Sequence, residues 1–496
     1  MARKPALILC ILGSCLAQLF VVVPSHAIPA FSRTYKVECS TCHTIYPELN
    51  EYGEAFLKNS YVYFGKSRNA AKEKEAAAPA EPAKPAAAVT DVKGEGDADK
   101  LSKLKAGAMG ASGATAPEPA AEATSPANGA AGGGEAKSEG LLLAGIPELL
   151  PISFTASVQG TYNRNQANEL DLSSRVLKLN AGGNFREKVA FFATYVAYSE
   201  NTSNIINTNT TSTTPANNST NINEMYVIWR HAFDTPINFR VGRMEPKLCL
   251  WKSNNKLSVT NSFAPYSYTV GVSEFAIQQP QDALEANAVL GNRFFIAGGV
   301  VNRKFQNTKE GYGHISYKFG GADYLANEPE VDLAKEESIF DFLAVTVGAY
   351  GYYGKNGTPN TTPGIALIQN TYYRSGVDMD IIYKLFRLRL AGVLGDDDNS
   401  NLSAVAPVEV KSYVAAVEGE YTFLKNLIGA FRFEYQDDGR GLVRRYIPTL
   451  AYSPLENVKV VLEYKHENAT SYLSPGSLVA QDFINRVGTL DVTFSF

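Results

Sequence analysis

Several things are scarce in this chain, and each scarcity removes a class of protein. Only five of its 496 residues are cysteine, and Cys10 and Cys15 fall in the N-terminal apolar stretch. Cys249 stands alone, so there is no disulfide framework to hold a small secreted fold. The formal net charge is only −4 and the pI about 5.9, which gives no basic footprint for nucleic acid. Beyond the first two dozen residues no apolar run approaches the ~20 residues that a membrane helix needs. If the chain crosses a membrane, strands must carry it. No nucleophile constellation and no phosphate-binding loop is present, so nothing points to a hydrolase or a transferase.

Residues 1–27 read as an export signal. Arg3 and Lys4 supply a positive start, a long apolar stretch follows, and Ser25-His26-Ala27 suits a small-x-small cleavage site. Leu12-Gly13-Ser14-Cys15 loosely resembles a lipoprotein signal, but the apolar run Leu16 to Val23 behind it is unlike the usual polar tether.

Against this background, Cys39-Ser40-Thr41-Cys42-His43 is the strongest motif. Two thiols one helical turn apart can each form a thioether to a porphyrin, and the next residue, His43, then serves as axial ligand to the iron. That reading makes Cys39 and Cys42 the covalent attachment points of one haem c. A Cys39–Cys42 disulfide or half of a zinc site are the other readings, and no second cysteine pair exists to complete the zinc site. Export agrees with haem, because attachment by this motif occurs outside the cytoplasm. The stretch from Tyr46 to Leu57 predicts a helix, with Pro47 in its first turn and Leu49, Tyr52, Phe56 and Leu57 on one face that suits porphyrin. The whole segment, 28–68, is too small to build a large core without such a group.

Residues 69–149 are dominated by Ala, Pro, Gly, Glu and Lys and cannot bury enough apolar area to offset ordering. They read as a disordered tether whose ends sit on the order of 45 Å apart. Residues 150–496 alternate apolar and polar side chains over runs of about ten. In Ala430 to Gln436, Phe431, Phe433 and Tyr435 share one face, and Arg432, Glu434 and Gln436 share the other. Leu385 to Leu390 and Val458 to Lys465 repeat the pattern. Charges on one face with aromatics on the other predict lipid outside and a polar lumen. About sixteen such runs, ending in Leu490-Asp491-Val492-Thr493-Phe494-Ser495-Phe496, predict a mainly β fold. This is an outer-membrane antiparallel barrel of about 16 strands behind a small helical segment. Asn201 to Asn221, Glu245 to Tyr268, Asp396 to Val408 and Ala469 to Asp482 read as extracellular loops. Short turns such as Gly291 to Arg293 read as periplasmic, and the connection Gly321 to Ser338 is long for one.

Motif and architecture together resemble the fused monohaem cytochrome–porin family. The resemblance rests on Pro29-Ala30-Phe31-Ser32-Arg33, the Cys39–His43 motif, Pro47-x-Leu49-x-x-Tyr52-Gly53-x-x-Phe56, and Tyr61. It covers about 30 residues closely and the barrel only in architecture; the long linker departs from the family. It implies an outer-membrane protein passing electrons from extracellular Fe(II) to a periplasmic carrier such as a soluble cytochrome, with outer-membrane lipid around the barrel. The same conduit running outward, or a diffusion porin with a tethered cytochrome, are the alternatives.

No Met and no second His lies between Ile28 and Gly65, so any protein ligand at the sixth iron position comes from elsewhere. Facing arguments put His314 and Met244 toward the lumen, Met225 and Met379 toward lipid, His466 near the rim and His231 at a turn. His314 or Met244 is the candidate distal ligand, against the plainer reading that both simply line the wall. Asp396-Asp397-Asp398 and Asp437-Asp438 form carboxylate runs in loops that could gather cations. The luminal charges Arg240, Asp378, Asp380, Arg387, Arg389, Arg432 and Glu434 suit either holding a plug or lining an open pore.

Overall fold

The computed structural model describes residues 31, 35, 37–62, 152–166, 169–185, 188–199, 221–260, 263–270, 273–276, 279–302, 309–327, 338–357, 368–473 and 479–495. The expected signal, the tether, the loop 200–220 and the terminal Phe496 lie outside these residues.

Sixteen antiparallel strands close into a barrel. The first, Ile152–Asn163, pairs with its successor Leu170–Phe185 and also with the last strand, Gln481–Ser495, which removes both sheet edges. Closure satisfies the ladder hydrogen bonds within the wall, the condition for strands to cross lipid. The alternation decides which face is which. Phe431 is 51% exposed while its neighbour Arg432 is 0% exposed, and Leu462 is 58% exposed while Glu463 is 3% exposed. A protein bathed in water would not turn its apolar side chains out and its charges in along every wall. The exterior is a lipid-facing surface, and the barrel is of the outer-membrane kind.

Turns at one end are tight. Gly291 and Asn292 both take positive φ (54° and 61°), the backbone that two-residue hairpins favour and that glycine adopts freely. The connection after Lys309–Gly320 is longer, and the reason is visible. Residues 321–327 turn inward, burying Tyr324 against Phe295. These short connections mark the periplasmic end.

The loop from Glu245 to Tyr268 departs from expectation: it folds into the lumen instead of outside. Leu248, Trp251, Phe263 and Tyr266 pack against Tyr350, Tyr372 and Val393 of the wall. The segment carries more apolar surface than an external loop can hide, and the wall answers its backbone. Asp378 accepts from the Leu250 amide (2.8 Å), Glu463 from Val259 and Thr260 (2.7 and 2.9 Å), and Glu434 from Ala264 (3.1 Å). A short hairpin, Ser267–Val270 with Ser273–Ala276, ends the excursion.

Because Phe431 sits midway along Leu427–Asp437 on the lipid face, Phe431→Arg is expected to destabilise the barrel by about 2–4 kcal/mol. Reversible folding into lipid bilayers measures it; an effect near zero would place that face away from lipid.

Candidate functional site

The motif segment lies inside the barrel. Cys39–Thr41 forms one turn of 3-10 helix, and the Cys42 and His43 amides both donate to the Cys39 carbonyl (3.1 and 3.0 Å). The chain then doubles back: Thr44 donates to the Glu48 carbonyl, and Asn50 to the Cys42 carbonyl (3.2 and 3.0 Å). A helix, Glu51–Lys58, follows. It starts later than the sequence predicts, because Asn50 is its cap and accepts from the Gly53 amide (2.9 Å). The Asn50 amide group also donates to the Ser40 and Thr41 carbonyls (both 3.1 Å), tying the cysteine turn to the helix. Gly53 is required by close approach, since a Cβ there would overlap the Cys42 carbonyl and crowd Leu49.

The helix is two-faced in an unusual sense. Leu49, Phe56 and Leu57 look into a cavity, while Glu51, Glu54 and Lys58 look at the barrel wall. There, Arg389 pairs with Glu48 (2.6 Å), and Arg387 reaches Glu48, Glu54 and Asp380 (3.5, 3.1 and 2.5 Å). Lys318 pairs with Glu51 (2.8 Å). Burial alone would push the Glu48 carboxyl up, but Arg389 and Arg387 hold it below the ordinary carboxylate range. Burial and the nearby Asp380 leave Glu54 raised, and burial lowers the Lys58 ammonium. Further contacts seat the segment at the periplasmic end. The Cys39 amide donates to Glu456 (3.2 Å), Asn59 donates to the Tyr324 carbonyl, and the Tyr61 and Tyr226 hydroxyls meet at 2.5 Å. Phe31 stacks on Tyr61 (5.3 Å) and edges onto Phe56 (5.2 Å).

Cys39, Cys42 and His43 all line the cavity, whose volume is about 2030 Å³. It runs the length of Ile152–Asn163, from Ser153 at the periplasmic end to Thr161, and reaches Asp171 and Tyr472 near the opposite rim. The donor set suits a haem c. His43 Nδ1 sits 3.1 Å from the Glu48 carbonyl; a proton on Nδ1 shared there leaves Nε2 as the free donor to a metal. Burial lowers the imidazole's affinity for a proton, favouring the neutral ligand form. The Cys42 thiol is pushed up to about 12 by burial and by Cys39. Leu49, Phe56, Leu57 and Phe31 give the apolar bed that a porphyrin requires, and the cavity exceeds ordinary small-ligand sites of roughly 300–1,000 Å³.

His314 and Met244 both face inward, as their alternation requires, but neither lines this cavity. His314 lies beside Phe295 on the side of the helix that carries Lys58, and Met244 packs against Phe56, Tyr226 and Ile228. Among the described residues His43 is the cavity's only histidine, and no methionine lines it. The loop carboxylates are partly engaged within the protein. Asp397 is paired with Arg374 (2.8 Å) and Asp438 with Arg440 (2.9 Å), and no group of three metal-binding side chains occurs among the described residues. The luminal charges divide the two roles offered for them. Arg387, Arg389 and Asp380 hold the motif segment. Asp378, Glu434 and Arg432, which lies over the Phe263 ring, hold the inward loop. Arg240 pairs with Glu285 of the wall (2.7 Å). Glu48, Glu51 and Glu54 were not legible as anchors, since three acids on and just before a short helix look like a solvated face.

Removing Arg389 leaves Glu48 buried beside a single remaining cation. Arg389→Ala is expected to weaken seating of the segment by about 3–5 kcal/mol and to raise single-channel conductance in planar bilayers, while Arg389→Lys retains part of it. Wild-type conductance in Arg389→Ala would mean that the pairs do not hold the segment.

No protein-family model matches this chain, and no curated protein matches it in sequence. Among solved structures it is similar to OmpT of Vibrio cholerae, at 10% identity over 70% of this chain and 97% of that one, with a TM-score of 0.44. It is also similar to the outer-membrane channel DcaP of Acinetobacter baumannii, at 13% identity over 70% and 96% (TM-score 0.45). An anion-selective porin from Comamonas acidovorans is similar at 9% identity over 70% and 98%, again with a TM-score of 0.45.

Proposed function

We propose that this porin-like barrel is an electron conduit across the outer membrane, built around one haem c that Cys39 and Cys42 would hold covalently and whose iron His43 would bind. The observation that carries the reading is the docking of the Cys39–His43 turn inside the lumen, facing the long cavity. When bound there, the haem supplies a one-electron couple. The chain does the rest. The cysteines fix position, the Glu48 carbonyl orients His43, and Leu49, Phe56 and Leu57 exclude water from one side. Glu48 and Glu54, clamped by Arg387 and Arg389, keep the assembly seated.

Geometry favours a conduit that serves both sides of the membrane. A hydrocarbon core is about 30 Å thick, too far for a cofactor hanging in the periplasm to meet a donor outside. A cavity running from His43 toward the outer rim lets a small extracellular donor approach from outside. The family resemblance makes that donor the substrate Fe(II), and the acceptor a periplasmic carrier such as a soluble cytochrome. The same cavity favours the second reading, a diffusion porin that carries a cytochrome, because a long cavity lined in part by polar and charged side chains also suits solutes.

Visible spectroscopy of intact cells separates these. Fe(II) added outside, anaerobically, should give a reduced α-band as promptly as a membrane-permeant reductant does, and Cys39→Ala/Cys42→Ala should abolish the band. Reduction by the permeant reagent alone sinks Fe(II) oxidation. Haem-free protein with full conductance to small solutes supports the porin.

A further inference from the structure

Among the cations that line the cavity, four come from two strands on one side of the barrel and from the inward loop: Arg175 and Lys178 on Leu170–Phe185, Lys459 on Val458–Tyr472, and Lys256. Register relates two of them to the strand that meets the motif. Lys178 lies opposite Thr155 and Lys459 opposite Thr493, which is itself opposite Ser157. Thr155 Oγ1 is 3.4 Å from the Tyr46 hydroxyl, and the Tyr46 ring is 5.2 Å from that of His43. Register and the Tyr46 contact thus connect Lys178 to the motif through Thr155, and Lys459 lines the same cavity as Cys39, Cys42 and His43.

Their partners do not balance them. Arg175 has Asp491 at a long 3.6 Å, and Asp491 also accepts from Thr493 (2.7 Å). Among the described residues Lys459 reaches only the Leu257 carbonyl (3.5 Å), Lys256 only the Thr260 carbonyl, and Lys178 makes no hydrogen bond or ion pair. The nearby carboxylates are engaged elsewhere: Glu224 with Lys252 (3.0 Å), and Glu463 with the loop amides. Elsewhere in the lumen Arg240, Arg374, Arg387 and Arg389 all have carboxylate partners. Asp491, Glu224 and Glu463 lie near these cations but share their oxygens with other donors, so the like charges are only partly offset, and an anion among them relieves the remaining repulsion.

We propose that Lys178 and Lys459, backed by Arg175 and Lys256, bind the two propionate carboxylates of the haem. This rests on the haem reading above. A carboxylate or phosphate solute in the lumen presents the same chemistry, so the test must separate the two sources. The cations neutralise negative charge beside the iron and thereby favour its reduced state.

The test uses the purified full-length holoprotein. Covalent haem is counted by its alkaline pyridine spectrum, barrel assembly is checked by heat-modifiable electrophoretic mobility, and the midpoint potential is titrated optically. Lys178→Gln and Lys459→Gln should each lower the midpoint potential, the double variant should lower it further, and Lys178→Arg should restore it. Lys465→Gln, which removes a cation lining the same cavity nearer the outer rim, should leave it unchanged. A full haem complement with an unaltered potential in the double variant overturns the propionate site and leaves the haem reading standing. An unaltered potential together with loss of acetate block of channel current assigns the patch to solute anions, again overturning it. Wild-type protein without covalent haem overturns both.

Discussion

The arrangement depends on a few charges kept where charge is expensive. Arg387 and Arg389 project from one strand into the lumen, and Glu48 and Glu54 come to them from a separate segment of chain. Each ion loses its water on docking, and mutual attraction offsets that loss only when geometry and extra hydrogen bonds are good. Here they are. Arg387 also holds Asp380 and donates to the Leu49 carbonyl (3.0 Å), while Arg389 takes Glu418 and Glu420. Such a network adds little to net stability, but breaking it is costly. That asymmetry makes it a specificity device: the segment has one seat in the barrel and one orientation in that seat.

The same physics organises the inward loop with the roles reversed. The barrel supplies carboxylates and the loop supplies backbone amides, so Glu463, Glu434 and Asp378 do for Val259, Ala264 and Leu250 what a strand neighbour would do elsewhere. A loop buried in a lumen must satisfy its peptide groups. It does so by drawing on the inward-facing half of the strand alternation. The lumen is therefore filled by two devices, one held by ion pairs and one by carboxylate–amide bonds, and the cavity is what remains between them.

How far this was legible in the chain follows from what each signal measures. Strand alternation reports side-chain environment directly, so the sixteen strands and the facing of Phe431, Arg432, His314 and Met225 could be read from sequence. Loop destination could not. Glu245 to Tyr268 has the Ser, Asn and Lys content of an external loop, and its scattered apolar residues, among them Leu248, Trp251, Leu257, Phe263 and Tyr266, only hint at burial. Helix onset was displaced because Asn50 spends its side chain on two jobs, capping the helix and binding the cysteine turn. Facing also says nothing about height or azimuth in a barrel. His314 and Met244 were placed on the correct side of their strands, yet the helix carries its apolar face to the cavity and its charged face toward His314.

That two-faced helix bears on the proposed chemistry. In a soluble cytochrome the surface away from the cofactor meets water, and its charges are free to vary. Here the surface away from the cavity meets a wall of buried charge, so Glu51, Glu54 and Lys58 are fixed by Lys318, Arg387 and the Phe295–Tyr324 pair. Substituting them should disturb the seat of the cysteine turn as much as substituting the apolar residues does, because Asn50 and Gly53 couple both faces rigidly to Cys42. The proposed conduit would need that rigidity. Electron transfer falls steeply with separation, so a group in a wide lumen is useful only if its distance to either mouth is fixed. Fixing it requires a mount whose outer face is as specific as its inner one.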